Sequence, residues 1–165
     1  MNIARRLKQD DNVNTDYVIS GRYKFRIQDP DELAKHIFED LDPEFASKVE
    51  KGDFLVSGEN FGCGSSREQA PQSLKAAGFS AVIAKNFARI FYRNAINIGL
   101  TLVECNTDLI QDGDTLELDI KNNRVENKTK GSSIPIAPLP DIMKKLLDEG
   151  GVVEYFKRHG GKLEL

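Results

Sequence analysis

The stretch over residues 58–69 constrains the fold of this chain more than any other, because glycines there join a strand pattern to a helix pattern. The preceding residues, 53–57, form a short apolar run that is typical of a buried strand. After the glycines, Ala70, Leu74 and Ala77 recur at the spacing of one helix face. The sequence therefore predicts a strand, a tight glycine turn and a helix, a unit that α/β folds use.

Polar side chains are predicted at the first turn of that helix. They are the hydroxyls of Ser65 and Ser66 and the guanidinium of Arg67. Unpaired backbone N–H groups and the helix dipole favour an anion at this position. Gly62 and Gly64 allow positive φ and a close approach of a ligand to the backbone. Together these residues indicate a site for a negatively charged ligand.

Helix capping is an alternative interpretation of the same residues. Ser65 or Ser66 with Glu68 matches a capping box, and spacing alone does not decide between a cap and an anion site. The loop is not a P-loop, because no Gly-Lys-Ser/Thr follows it. It is not a dinucleotide-binding fingerprint either, because the third glycine is missing at the required spacing.

Length and charge limit the class of protein. The chain has 165 residues, enough for one well-cored domain and too few for two ordinary ones. Its net charge of −3 gives no reason to expect nucleic acid or an anionic membrane as a partner. No apolar run approaches the length of a bilayer span, and the start lacks the apolar core of a signal peptide. We expect a single cytoplasmic domain over residues 1–165.

The two cysteines are too far apart in sequence to form a metal motif, and we expect both as reduced thiols. Cys105 ends a strand-like run and is expected in the core. Cys63 lies in the glycine loop, but neither His36 nor His159 is near it in sequence, so a catalytic thiol is the lesser interpretation. A cluster that needs three or four cysteines cannot be built from this chain alone, and no metal is expected on it.

The rest of the chain predicts strands that alternate with helices. Apolar periodicity and turn residues favour helices over 29–40, 87–98, 138–149 and 152–158 besides the one that ends near Gly78. Strands are predicted over 53–57, 80–84 and 101–105, with short β-like pieces such as 17–19 and a hairpin over 115–127. The polar residues 122–133 are expected as an exposed hairpin and loop. This order predicts a mixed α/β sandwich with a partly parallel sheet.

Four motifs, in order along the chain, carry a family resemblance. They are Asp-Asn-Val-Asn-Thr-Asp at 11–16, Gly-x-Asn-Phe-Gly-x-Gly-Ser-Ser-Arg-Glu at 58–68, the Phe-Ala-Arg-Ile-Phe-Tyr-Arg-Asn segment within 85–99, and Gly-Asp at 113–114 with Asn-Lys-Thr at 127–129. With these motifs the chain closely resembles the small subunit of 3-isopropylmalate dehydratase over nearly its full length. The resemblance implies an aconitase-type swivelling β/β/α domain with a mixed, partly parallel sheet.

The resemblance also implies an obligate partner. In this family a separate large subunit carries a 4Fe–4S cluster on three cysteines, and the small subunit closes the active site in a heterodimer or heterotetramer. The implied reaction isomerises 2- and 3-isopropylmalate by dehydration and rehydration in leucine biosynthesis. Homoaconitase and the methylmalate or dimethylmalate dehydratases, which also act on hydroxy di- or tricarboxylic acids, remain alternatives. A stand-alone anion-binding module is an alternative from a different class.

By resemblance, Ser65 is the catalytic base and acts as an alkoxide. The glycine-loop N–H groups and Arg67 would stabilise its charge. Ser66 and Arg67 would hold a substrate carboxylate, the arginine through a paired hydrogen bond. Residues expected to support the site are Asp16, Gly62 and Gly64, with side-chain capping of a turn as the alternative role for Asp16.

The segment Tyr23-Lys24-Phe25-Arg26 lies where related small subunits have a substrate-recognition loop. We expect Tyr23, Lys24 and Arg26 to bind substrate, with an ordinary surface turn as the alternative. An apolar residue there would suit an isopropyl group, whereas Arg26 could bind a distal carboxylate, as in the aconitase and homoaconitase branches. Gln69 departs from the family pattern, which usually has His at that position, and some homoaconitase-like subunits share the Gln. We expect it not to affect Ser65.

Overall fold

A seven-stranded mixed sheet is the frame of the molecule. The computed structural model describes residues 2–65, 67–149 and 152–160. The strands are β1 Asn2–Arg6, β2 Phe54–Val56, β3 Ala81–Ala84, β4 Thr101–Glu104, β5 Thr115–Asp119, β6 Arg124–Asn127 and β7 Ser132–Pro135. Their order across the sheet is β4-β3-β2-β1-β5-β6-β7. The pairs from β1 to β4 are parallel, and the pairs from β1 through β5 to β7 are antiparallel.

The parallel half of the sheet is covered on both faces. Every residue of β2 and β3 is buried, as expected for strands with apolar cover on each side. Successive side chains point to opposite faces, so Leu55 and Val82 pack in a cluster with the helices. Val56 and Ile83 pack in a second cluster on the other face.

The antiparallel half curls over that second cluster. Val125 and Ile134 are fully buried in it. Beyond β7, Ile136 pairs with Cys105 at the end of β4, so the last strand returns to the first strand of the sheet order. This contact covers backbone groups that an open sheet edge would expose. The layers are antiparallel strands, parallel strands and helices, which confirms the predicted β/β/α arrangement.

Short helices line the other face of the parallel strands. Within the described residues they are α1 Thr15–Val18, α2 Gly21–Lys24, α3 Pro30–Leu33, α4 Phe45–Lys48, α5 Gln69–Ala76, α6 Arg89–Ile98, α7 Asp141–Asp148 and α8 Val152–Arg158, with 3-10 turns at Ala34–His36 and Thr107–Leu109. Helix α5 joins β2 to β3, and α6 joins β3 to β4. Gly99 ends α6 with a left-handed φ of 78°, as its sequence position predicts.

The helix predicted over 29–40 is shorter than expected. After α3 and one 3-10 turn it ends at His36, and Ile37 is extended. Phe38 has a φ of 55°, and its N–H donates to the Val18 carbonyl at 3.0 Å. Ile37 and Phe38 are both fully buried. The hydrogen bond from Phe38 to Val18 and the burial of both side chains are tertiary contacts, and they override the helical pattern.

The prediction of a β-like piece at 17–19 was wrong for Tyr17 and Val18, which lie in α1, whereas Ile19, the C-cap of this helix, is extended. Asn14 caps this helix by accepting a hydrogen bond from the Tyr17 N–H at 3.1 Å. A polar residue that caps the first turn stabilises helix over strand locally.

The C-terminal part was predicted less completely than the middle. The hairpin of β5 and β6 is confirmed, but β7 lies partly within residues that were expected to form a loop. Only Ile134 of β7 is buried, so one apolar side chain was the sole strand signal. The helix expected from 138 begins at Asp141. Gly150 and Gly151, the predicted helix break, lie outside the described residues.

Candidate active site

The glycine loop is tied to the segment that follows β1. The Gly62 N–H donates to the Val13 carbonyl at 2.7 Å, and the Thr15 N–H donates to the Cys63 carbonyl at 2.9 Å. These bonds extend the parallel pairing of β1 with β2 beyond the strands. The motifs at 11–16 and 58–68 therefore lie side by side at the carboxyl edge of the parallel strands, where open α/β sheets bind their ligands.

Two glycines of the loop adopt conformations that favour glycine. Gly62 has a φ of 84° and Gly64 a φ of 97°. A Cβ on Gly62 would overlap the Phe91 ring of α6, and a Cβ on Gly64 would lie 3.3 Å from the Asn14 Cβ. Gly62 thus allows the loop to pack on α6, and Gly64 allows it to pack on the segment after β1.

Ser65 presents its hydroxyl at the surface of this loop. Its side chain is exposed, and its Oγ lies 3.2 Å from the Oγ1 of Thr15. The same Thr15 hydroxyl donates to the Ser65 carbonyl at 3.0 Å. This pair of contacts joins residues that are 50 positions apart in sequence.

The prediction that Ser65 and Arg67 lie in the first turn of a helix was wrong. Helix α5 begins only at Gln69, and its N-cap Glu68 makes no side-chain capping hydrogen bond. The reason is Pro71, because proline is tolerated in the first turn but clashes with the preceding turn in a helix interior. The structure therefore does not form the capping box. The hydroxyl and the guanidinium come from an irregular loop, and Ser66 lies outside the described residues.

The Arg67 guanidinium, beside this loop, is only partly paired. Its Nη1 lies 2.6 Å from the Oδ1 of Asp16, an ion pair by distance that lacks the alignment of a hydrogen bond. The Nε and Nη1 atoms are buried and have no hydrogen-bond partner among the described residues. Buried donors without partners are rare in folded proteins. A carboxylate is the ligand that a guanidinium fork of this kind binds best.

An open cavity of about 380 Å³ lies beside Arg67. Its lining residues are Asn14, Asp16, Tyr17, Ser20, Gly21, Asp40 and Arg67. Asp40 is paired with Arg22 at 2.7 Å, so Asp16 is the carboxylate that balances Arg67. Ser65 does not line the cavity itself, but Thr15, its partner, lies between two lining residues in the chain. Arg67 thus lines a small polar cavity, and Ser65 is connected to its lining through Thr15.

The predicted recognition segment is anchored beside the cavity. The Tyr23 ring stacks on His36 with centroids 4.1 Å apart, and its hydroxyl donates to Glu39 at 3.0 Å. This hydrogen bond raises the pKa of Tyr23, and the hydrogen bond from His36 lowers the pKa of Glu39. Tyr23 and Arg26 do not line the cavity, and Arg26 and Phe25 are exposed. The Lys24 side chain lies outside the described part of the structure.

The two thiols have different surroundings. Cys63 is half-buried in the glycine loop, and its backbone pairs with Asn14. Burial raises the pKa of the Cys105 thiol to about 11. Across residues 2–65, 67–149 and 152–160, no group of three or more His, Cys, Asp or Glu side chains is placed to hold a metal ion. In the same ranges, no helix combines the length and apolar character that a membrane crossing needs.

A larger cavity, of about 970 Å³, shares no lining residue with the cavity beside Arg67. It lies between the end of β1 and the turns near Asp42 and Asp112. Arg6, which lines it, is already bonded to Asp10 and to the backbone carbonyl of Ile110. No described residue of the motifs at 11–16 and 58–68 lines this larger cavity, so we place the candidate site at the cavity beside Arg67.

Comparisons with known proteins identify the family of this chain. The profile of the aconitase C-terminal domain family matches residues 8–108, which include both motifs of the site. Small subunit 1 of 3-isopropylmalate dehydratase from Archaeoglobus fulgidus is 58% identical over 156 residues, which cover 94% of this chain and 96% of the relative. The corresponding small subunit from Caldicellulosiruptor bescii is 55% identical over 152 residues, 91% of each chain.

The chain belongs to the 3-isopropylmalate dehydratase small-subunit family, within the aconitase C-terminal domain group. A solved structure from this family agrees on the fold. It is that of 3-isopropylmalate dehydratase from Methanocaldococcus jannaschii, with a TM-score of 0.91 and 45% identity over 96% of this chain and 93% of that one. The family resemblance read from the sequence motifs is confirmed.

Thr15 was not recognised from the sequence as a partner of the site residues. Thr15 is buried and bonds Ser65, yet its motif drew attention only to Asp16. The local signal for Thr15 is its position directly after the capping Asn14, which turns its side chain toward the glycine loop. Nothing in the spacing of residues 15 and 65 shows that they meet.

Proposed function

We propose that this chain is the small subunit of 3-isopropylmalate dehydratase and contributes to the interconversion of 2- and 3-isopropylmalate in leucine biosynthesis. The observation that carries the proposal is the Arg67 guanidinium, which is ion-paired with Asp16 but has a buried Nε without a hydrogen-bond partner among the described residues, two positions after the exposed Ser65 at the carboxyl edge of the parallel strands. The high identity to proteins with this name, over nearly all of both chains, supports the choice of substrate.

Substrate binding is assigned first to Arg67. Both isopropylmalates are dicarboxylates, and a guanidinium fork binds one carboxylate through two parallel hydrogen bonds. Asp16 is largely exposed and only loosely aligned with Arg67, so it can orient the guanidinium and give way to a substrate carboxylate. Ser66 is proposed as a second donor to the same carboxylate. Gly62 and Gly64 support these groups by holding the loop in place.

Proton transfer is assigned to Ser65. In the alkoxide form its Oγ takes the proton from the carbon next to a carboxylate. The electron pair of the broken C–H bond forms the double bond of the enoic intermediate, and hydroxide leaves from the neighbouring carbon. Addition of hydroxide to the carbon that lost the proton, with transfer of the Ser65 proton to the carbon that lost the hydroxyl, gives the isomer and regenerates the alkoxide. Such a base requires strong stabilisation of its charge, which Arg67 and the loop N–H groups would supply in a closed site.

The residues of this chain do not fit an iron–sulfur cluster. Burial keeps the Cys105 thiol protonated at neutral pH, and Cys63 alone is too few ligands. We therefore propose that the 4Fe–4S cluster belongs to a large subunit, with which this chain forms a heterodimer or heterotetramer in the cytoplasm. Only carboxylate binding and proton transfer are assigned to this chain.

The recognition segment favours isopropylmalate over a tricarboxylic acid. Arg26 does not line the cavity, so a distal carboxylate would lack this cation. Phe25, which does not line the cavity either, is 84% exposed, and we propose that it offers an apolar surface for an isopropyl group in the assembled enzyme. Tyr23 would act mainly as an anchor through Glu39, and Lys24 is proposed to face the substrate. Homoaconitase, the second candidate, would require Arg26 to turn into the cavity.

The test is reconstitution with the large subunit and an assay of a panel of acids. We expect dehydration of 2-isopropylmalate and much slower turnover of homocitrate and 2-methylmalate. Ser65→Ala should lower kcat by about a thousandfold or more with little change in KM, because a group used only in the transition state is lost. The matched control is Ser133→Ala, an exposed serine of β7.

Two results would overturn the proposal. One is a wild-type complex with an intact cluster that turns over homocitrate but not 2-isopropylmalate. The other is a Ser65→Ala complex with the same rate as Ser133→Ala. Tight binding of isopropylmalate or phosphate by the isolated chain, with no activity in the complex, would instead support a stand-alone anion-binding module.

A further inference from the structure

We propose that Thr15 is a positioning residue for Ser65, whose hydroxyl holds the Ser65 Oγ in place and stabilises its charged form. The inference rests on the proposed function and adds a residue to it. Thr15 is 2% exposed, and its Oγ1 lies 3.2 Å from the Ser65 Oγ and 3.0 Å from the Ser65 carbonyl oxygen.

Two features hold Thr15 rigidly against the glycine loop. Its N–H donates to the Cys63 carbonyl at 2.9 Å, and it begins α1, which Asn14 caps. Gly64 places no side chain next to the two hydroxyls. A Cβ at this position would lie 3.7 Å from the Thr15 Oγ1. The threonine therefore cannot move away from Ser65 without disturbing the pairing of the two motifs.

The number of protons explains why this contact favours the charged base. A threonine hydroxyl has one hydrogen to donate. While Ser65 is neutral, it can donate to Thr15, and the Thr15 hydrogen can point to the Ser65 carbonyl oxygen. Once Ser65 is an alkoxide, the Thr15 hydrogen turns to the Ser65 Oγ, and the bond becomes charge-assisted. Thr15 keeps its own proton throughout, so the substrate proton still ends on Ser65.

A hydrogen bond that is stronger to the charged base than to the neutral hydroxyl raises the fraction of Ser65 that is alkoxide at a given pH, so it raises the rate below the Ser65 pKa rather than improving substrate binding. It also lowers the pH at which Ser65 becomes competent as a base. If Thr15 only fixed the loop through its bond to the Ser65 carbonyl, Thr15→Val would not shift the pH profile. Its effect on the rate would also not depend on the Ser65 hydroxyl. These two readouts separate the positioning role from a structural one.

The experiment compares Thr15→Val, which keeps the shape and removes the hydroxyl, with Thr15→Ser, which keeps the hydroxyl. In the reconstituted complex with 2-isopropylmalate, Thr15→Val should lower kcat by about 10- to 100-fold and shift the ascending limb of the pH profile, on which Ser65 loses its proton, to higher pH, as expected for loss of one hydrogen bond to a charged group. Thr15→Ser should stay within about threefold of wild type. The matched control is Thr107→Val, because Thr107 is fully buried and its Oγ1 has no hydrogen-bond partner among the described residues.

A double-mutant cycle shows whether Thr15 acts through Ser65. In the Ser65→Ala background, Thr15→Val should cause no further loss of rate, because the base that it assists is gone. Equal kcat and pH profiles for wild type and Thr15→Val would overturn the inference. So would a Thr15→Ser complex as slow as Thr15→Val, which would point to the methyl group.

Failure of the proposed function can be told apart from failure of this inference. If the wild-type complex dehydrates another acid of the panel, the Thr15 variants are assayed on that acid. The contact itself is tested without substrate in the isolated chain by NMR. We expect a slowly exchanging Thr15 hydroxyl proton that shifts in Ser65→Ala, and its absence would sink the inference whatever the enzyme's substrate.

Discussion

The parallel half of the sheet packs in both core clusters and the antiparallel half in one, and the two halves differ in chemistry as well. Strands β1 to β4 are parallel, so the loops that follow β1, β2 and β3 meet at one edge. Backbone bonds join these loops, for example from the Gly58 N–H to the Asp10 carbonyl at 3.0 Å and from the Lys85 N–H to the Gly58 carbonyl at 3.0 Å. Strands β5 to β7 are antiparallel, so their turns lie at opposite edges. Strand direction therefore decides which half can bring distant side chains together.

The sharpest test of this comparison uses one glycine from each half. Gly62→Ala should lower the free energy of unfolding by about 3 kcal/mol or more, because the new Cβ overlaps Phe91 and the φ of 84° is strained for alanine. Gly131→Ala, in the turn between β6 and β7, has a φ of 67° but no atom within 4 Å of the new Cβ. Strain alone should cost it about 1 kcal/mol. Urea unfolding of the isolated chain measures both.

Activity extends the same comparison. In the reconstituted complex Gly62→Ala should also lower kcat, because the loop that holds Ser65 moves, whereas Gly131→Ala should retain it. Equal losses of stability in the two variants would show that the packing of the loop on α6 is not as tight as the structure indicates. Equal losses of rate would contradict the division of roles between the halves.

The second test asks whether a buried valine contributes equally to the unfolding free energy in the two halves of the sheet. Val82 in β3 and Val125 in β6 are both fully buried, but they belong to the two different clusters. Val→Ala at either position should cost about 2 to 3 kcal/mol of unfolding free energy from the lost methyl groups and the cavity left behind. Thermal or urea unfolding checks this. A loss at Val125 much smaller than at Val82 would mean that the antiparallel half is only loosely attached.

The expected kinetic result differs from the thermodynamic one. Val125→Ala should leave kcat of the assembled enzyme unchanged at temperatures well below its unfolding transition, because no loop of the site rests on β6. A matched fall in kcat and stability for Val125→Ala would show that the antiparallel half shapes the site as well.

Local signals in the sequence predicted much of the parallel half. Asp29 caps α3 through the Asp31 N–H at 3.1 Å, Pro30 takes the first helical position, and Gly99 ends α6, all as expected. Each of these signals acts within one or two turns of the residue that carries it. That is why they can be read without knowing the fold.

The elements that sequence analysis missed depend on distant contacts. Phe38 leaves the helical pattern because of a bond to Val18, and β7 forms because β6 offers it an edge. In the site, the family motifs predicted Ser65 and Arg67, but the start of α5 was placed too early because the limit set by Pro71 was overlooked. The contact of Thr15 with Ser65 could not be predicted, since only the parallel pairing of β1 with β2 brings them together.

The last comparison concerns Cys105, where the end of β4 pairs with Ile136, which follows β7. Burial raises the pKa of this thiol to about 11, so the thiolate is scarce at pH 8. In a Cys63→Ala chain, iodoacetamide should modify native Cys105 about a hundredfold more slowly than the same thiol in urea, because the pKa differs by about two units. Because the folded state favours the neutral thiol, its contribution to stability is complete below the pKa of the unfolded thiol and is lost as pH rises through about 11. Cys105→Ala should remove that part of the pH dependence, which urea unfolding at pH 8 and pH 10 would measure. Equal modification rates in the native and the unfolded chain would mean that β4 and the end of β7 do not stay closed over the thiol.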